Sequence, residues 1–167
     1  MNMFQEINEL NTVVVKQRTA YNKKLVEQQR LSGAFRRYIN WNGTGDGIRD
    51  YLGADLNFIR SWIQNMFIGE MKWENYGKVW VIDHIVPFRM FDIFKEEDLI
   101  LCWNYRNLMP IFDEDNLKKQ GNIFFSFELL RERKDKDHIY QKLYERIKPE
   151  VEWMIQYINN YDSKPIV

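Results

Sequence analysis

Cysteine is nearly missing from this 167-residue chain: Cys102 stands alone, which excludes an intramolecular disulfide and a cysteine-rich zinc knuckle. Long apolar runs are missing too. No stretch of about 18 apolar residues occurs, so no membrane-spanning helix is expected. The first ten residues (MNMFQEINEL) lack the basic-then-apolar pattern of a secretory signal. These absences point to a reducing, cytoplasmic setting. Histidine is almost as scarce, with only His84 and His138, so imidazole chemistry has two places to reside. Internal repeats and low-complexity tracts are absent, and so is any net charge.

What the chain does have is apolar bulk. Its residues are 45% apolar and 16% aromatic, enough for one compact core with extensions. Six Trp, nine Tyr and eleven Phe suit packing first and base stacking second. The charges are unevenly spread. Residues 1–49 carry eight Lys/Arg against four Asp/Glu, residues 50–117 six against twelve, and residues 118–148 nine against five. Two basic flanks thus bracket an acidic middle suited to a divalent cation. A neutral sum does not exclude nucleic acid, because local patches rather than totals attract phosphates. Solvated helix faces are the plainer use of most of these charges.

Residues 4–40 read as helix, with Val14, Leu25, Leu31, Phe35 and Ile39 among polar neighbours. Asn42 to Gly47 (NGTGDG) breaks it as a loop. It lacks the GK[ST] ending and the preceding strand of a phosphate-binding loop. Asp55 is a candidate N-cap for a helix bearing Leu56, Ile59, Ile63, Met66 and Phe67 at core spacing. Lys78 to Val86 (KVWVIDHIV), closed by Pro87, reads as a strand. A short helical turn is expected at Glu96–Trp103, with Cys102 as a buried small hydrophobe. Asn107 to Phe112 reads as a return strand at a sheet edge, where Pro110 is tolerated, and Asp113 opens a helix. Residues 124–160 read as helix broken or kinked near Pro149. Its buried stripe is expected to be Leu129, Leu130, Ile139, Leu143, Tyr144, Ile147, Trp153, Met154 and Ile158. The expected class is α+β, a mainly helical chain around a small two-strand and helix core. The expected division is 1–49 as a helical N-terminal extension, 50–122 as the core, and 123–167 as a helical C-terminal extension.

Chemistry concentrates at Asp83-His84. A carboxylate is a hard ligand for Mg²⁺-like ions, and a neutral imidazole takes a proton from water near pH 7. Alone the pair is an ordinary dipeptide, which often only exchanges a hydrogen bond. Asn107 follows twenty-three residues after His84, and Asn116 nine residues later, at the start of a predicted helix.

The D-H-I-x-P strand, the N-L-x-P return and the D-N-x-K-K helix start resemble the ββα-metal (His-Me finger) core of HNH endonucleases. The chain is most similar to the phage-type subgroup through Leu52-Gly53, Met71 to Gly77 (MKWENYG), Phe91-Asp92 and Cys102-Trp103, so the resemblance covers roughly residues 50–122. It implies a metal-dependent DNA endonuclease. His84 would be the general base that activates water, and Asp83 and Asn116 the ligands of one divalent ion, Mg²⁺ or Mn²⁺. Asn107 would tie the strands together and orient His84. Lys118 and Lys119 would contact the DNA backbone, with solvated surface lysines as the plainer reading. Two positions depart from the pattern: Val81 stands where related sequences often have a second His, and Glu70 where they usually have Gly.

Successive side chains on a regular strand point to opposite faces. Asp83 and His84 would therefore share a substrate only through a twist or bulge, or with a phosphate lying across the strand. A phage-encoded enzyme acting in the host cell is the expected setting, with 5′-phosphate and 3′-hydroxyl ends as products. RNA stays open as a substrate, since a single-metal site reads a phosphate rather than a sugar. Oligomeric state stays open too, a homodimer included. The alternative is a catalytically silent nucleic-acid-binding or structural component that keeps the fold. His138, in a charged helix, is expected to be exposed and without a role.

Overall fold

The carboxylate of Asp55 accepts a hydrogen bond from the Phe58 N–H at 2.9 Å, filling an otherwise orphaned donor of the first turn. This starts the helix α2 (Leu56–Gln64). Leu56, Ile59 and Ile63 are buried along one face, as their spacing requires. The same local logic sets the remaining elements in a computed structural model that describes residues 3–119 and 123–162. The end of the expected core at 120–122 and the last five residues of the C-terminal extension lie outside the described residues.

Among the described residues there are six α-helices and one two-stranded antiparallel sheet, so the class is α+β. The chain divides into two compact units, Met1–Arg49 and Asp50–Val167. The first unit carries α1 (Met3–Ile39). Its middle is polar-coated and exposed, Val14 and Leu25 included, whereas Leu31, Phe35 and Ile39 toward its end are buried.

In the second unit, β1 (Trp80–His84) pairs with β2 (Leu108–Phe112) in a regular register, with Trp80 opposite Phe112 and His84 opposite Leu108. Flanking bonds from Ile85 N–H to Asn107 O and from Asp113 N–H to Val79 O set the parity of the ladder. By that parity, Ile82 and Pro110 form a non-hydrogen-bonded pair. The nitrogen of Pro110 therefore faces the outer edge of β2, where its lack of a proton costs no ladder bond.

Between the strands lies α3 (Glu96–Trp103), and α4 (Asp113–Lys119) follows β2 directly and packs on both strands. Cys102 is fully buried. An antiparallel hairpin, α5 (Ile123–Arg133) and α6 (His138–Asp162), completes the unit.

Two expectations about this hairpin need correction. Of the break or kink expected near Pro149, the break does not occur there, because Pro149 lies inside α6. The break falls earlier, where Asp137 accepts hydrogen bonds from the Ile139 and Tyr140 N–H groups and so caps α6. Trp153 is 61% exposed rather than buried. The buried stripe of α6 runs through Leu143, Ile147 and Val151, and Trp153 lies roughly 200° around the helix from Val151. The side chain of Ile158 lies outside the described residues.

Ion pairs fasten α6 to the rest of the unit. The Arg146 guanidinium grips the carboxylate of Asp98 on α3, and Arg106 pairs with Asp137. Burial alone would raise both carboxyls, but the Arg146 guanidinium and the Asp92 N–H at Asp98, and the Tyr140 N–H and Arg106 at Asp137, outweigh it and hold both below their usual range.

Candidate functional site

The root of β1 is an aromatic cluster that fixes how the strand leaves the core. Trp80 is fully buried, and its indole N–H donates to Lys72 O at 2.9 Å. Phe67, Trp73 and Tyr76 surround its ring at centroid distances of 4.6, 5.3 and 4.9 Å. The Arg60 guanidinium lies 3.8 Å from the centroid of Trp73, a cation–π contact. Asn75 closes the turn below, accepting from Lys72 N–H and donating to Glu70 O. The Met71–Gly77 segment is thus scaffold.

Asp83 and His84 form the other end of β1. The ladder continues through both without a bulge, so their side chains take opposite faces. On one face, the Asp83 carboxylate meets α4: Lys119 Nζ donates to Asp83 Oδ2 at 2.7 Å and to the His84 carbonyl at 2.7 Å. The Lys119 side chain is only 7% exposed, and that of Asp83 28%. On the other face, the His84 ring packs edge-on against Trp103 at 4.7 Å and against Phe88 at 6.0 Å. The residue as a whole is half-buried, but its Nε2 is enclosed and has no hydrogen-bond partner.

This enclosure decides the protonation state of His84. Burial, opposed by the Asp83 charge and aided by that of Lys119, pushes the imidazole down to about 4. His84 stays neutral through the range in which an ordinary histidine titrates.

Asn107 is fully buried and locks the chain just beyond His84. Its Oδ1 accepts from Val86 N–H at 2.8 Å, and its Nδ2 donates to Val86 O at 3.3 Å and Cys102 O at 2.8 Å. It therefore ties the end of β1 to α3. Ser126 of α5 adds a second tie, donating to Ile85 O at 2.5 Å. Nothing in the sequence around Ser126 signals that contact.

Asn116 is half-buried on α4, three residues before Lys119 and hence on the same helix face. Lys118 is exposed and pairs with Asp115 at 3.4 Å. The structure thus brings Asp83 and Lys119 into contact and sets Asn116 on the helix face that meets Asp83. It turns the His84 ring away from them and leaves Lys118 at the surface. The i, i+3 spacing from Asn116 was the one sequence signal that Lys119 faces the strand rather than solvent. His138 is exposed.

The donor set can be tested against a divalent ion. Among the described residues, no group of three His, Cys, Asp or Glu side chains could cage a metal. One hard carboxylate, one amide and a nearby backbone carbonyl fit only an ion that keeps most of its waters, as Mg²⁺ does. The position already attracts a cation, since the Lys119 ammonium bridges two oxygens there. No helix among the described residues is long and apolar enough to cross a membrane.

No family model matches the chain, and no solved structure matches it. Two uncharacterized proteins of Acanthamoeba polyphaga mimivirus are similar to it. One is 40% identical over 74 residues, covering 44% of this chain and 33% of its own length. The other is 28% identical over 100 residues, covering 53% and 44% respectively. The chain spans less than half the length of these curated relatives.

Proposed function

We propose that the chain is a metal-dependent nuclease of the HNH type that hydrolyses phosphodiester bonds in DNA, with β1, β2 and α4 as a small ββα-metal core. One observation carries this reading: the Asp83 carboxylate, at the tip of β1, holds a cation from the helix that directly follows β2. Strand, strand and helix come in the expected order, with Asn107 locking the strand end as a positioning residue.

Asp83 and Asn116 would hold one Mg²⁺ or Mn²⁺ ion. When bound, the ion would supply charge neutralisation at the phosphate and at the departing 3′ oxygen. His84 would take the proton from the attacking water, and burial keeps the ring neutral in its enclosed resting position. For that step the ring has to swing its enclosed Nε2 away from Trp103 toward water. Lys118, exposed on α4, would meet the DNA backbone. Such contacts carry a strong salt dependence. The mimivirus relatives broaden the expected phage setting to a viral protein acting inside a host cell.

A second reading is a catalytically silent nucleic-acid-binding or structural component. The enclosed His84 nitrogen, which has no hydrogen-bond partner, favours it. Supercoiled plasmid incubated with Mg²⁺, with Mg²⁺ plus EDTA, and with the His84→Ala variant separates the two. The nuclease reading expects nicked or linear product with wild type alone. Plasmid left intact by wild type, or cut equally by His84→Ala, overturns it. RNA in a parallel incubation tests the sugar preference.

A further inference from the structure

A lysine side chain that is 7% exposed needs strong compensation, because buried ammonium groups are rare unless paired. Lys119 finds it in two oxygens of one short segment, Asp83 Oδ2 and His84 O, both at 2.7 Å. The candidate ligand Asp83 therefore already has a cation, tethered to the same helix that carries Asn116. A divalent ion and an ammonium on one carboxylate are like charges a few ångströms apart, and they repel strongly in a half-buried site.

We propose that Lys119 is a built-in competitor for the divalent ion. It neutralises Asp83 in the metal-free protein, and an ion that binds Asp83 repels it from that carboxylate. The inference rests on the proposed metal site, but concerns what holds that site beforehand. Two properties follow. The tether weakens metal binding, since each binding event also breaks the Lys119 pair and its contact with the His84 carbonyl. The released ammonium then sits on the face of α4 nearest the site, where a phosphate would be a natural new partner.

The test reads metal binding rather than cleavage. Mn²⁺ is titrated into full-length protein and free ion followed by electron paramagnetic resonance, for wild type, Lys119→Met, Lys119→Arg and Lys119→Met combined with Asp83→Asn. Lys119→Met should bind at least about tenfold more tightly, a difference of about 1.4 kcal/mol. Lys119→Arg should stay as weak as wild type, and the double variant should lose the gain. Equal affinity of wild type and Lys119→Met overturns the competition while leaving the metal site standing. Absence of binding in both removes the metal site, and the competition with it.

Should Lys119→Met fail to fold by circular dichroism, wild type alone decides the matter. Lysines are acetylated with a water-soluble succinimidyl ester and read residue by residue by mass spectrometry. Lys119 should react far more slowly than Lys118 in EDTA, then speed up when Mg²⁺ is added. A Lys119 rate that Mg²⁺ does not change overturns the proposal.

Discussion

The two ends of the five-residue strand β1 are built to opposite specifications. At the root, the Trp80 ring is enclosed by three aromatic partners and its indole N–H is satisfied. At the tip, an imidazole nitrogen is enclosed without a partner and a carboxylate leans on an ammonium from another element. The root is finished by its own contacts, whereas the tip keeps groups whose best partners are not yet chosen. Unsatisfied buried polar atoms are costly. One such atom, His84 Nε2, lies at the end of a well-anchored strand, where rigid support lets a residue depart from ideal packing.

If that contrast holds, substitutions at the two ends should fail differently. The largest effect is expected at the tip, where His84→Ala should cut plasmid cleavage by about 10²–10⁴-fold, the usual share of a general base, with folding retained. Cleavage rates measured per folded molecule check this, and an undiminished rate would break the contrast.

At the root, Trp80→Ala should cost about 3–5 kcal/mol of stability, the usual loss for a buried Trp, measurable by urea unfolding. A Trp80→Ala protein as stable as wild type would mean that the cluster does not anchor the strand. Between the ends in character is Asn107→Ala. It strips the buried Val86 N–H of its acceptor and should cost about 1–3 kcal/mol, with the loss visible in both unfolding and cleavage.

Acid should reach the α6 clasps as a separate event. The Asp98 and Asp137 carboxyls sit below their ordinary value of 3.8 in the folded protein. Their stabilisation is therefore complete above about pH 4 and lost as pH falls further. Melting temperature followed from pH 7 to pH 2 should show that loss, and Asp98→Asn should flatten it. The smallest effect is Asp55→Ala, which removes the cap of α2 and should cost about 1 kcal/mol. Calorimetry resolves a change of that size.

Much of the fold was legible because it follows from local patterns. KVWVIDHIV and NLMPIF announce two strands, Asp55 announces a helix start, and the range Glu96–Trp103 matches its helix. The hairpin was legible in content but not in punctuation. Proline is a strong breaker on average, yet Pro149 is carried within α6, while the Asp137 cap decided the true boundary.

The site was legible at the level of residue types. The alternation of strand faces set Asp83 and His84 apart unless the strand twisted or bulged, and its register runs through both without a bulge. The partner of each was not legible. Lys119 reaches Asp83 across thirty-six positions of chain, and Ser126 reaches Ile85 across forty-one. Contacts at that separation depend on how helices are placed over the sheet, which neither periodicity nor composition encodes.

Pro110 has one more consequence. A two-stranded sheet has little of its own to stop a third strand from joining, and exposed edges are where chains aggregate or exchange segments. The outward-facing position at the centre of β2 is the one residue without an amide proton. An incoming strand would lose the middle bond of its ladder and meet the pyrrolidine ring instead. On the other side, Tyr76 and Gly77 already occupy the edge of β1 at Trp80. Growth of the sheet is therefore obstructed at the middle of one edge and at the root of the other, which hinders its strands from templating the pairing of other chains.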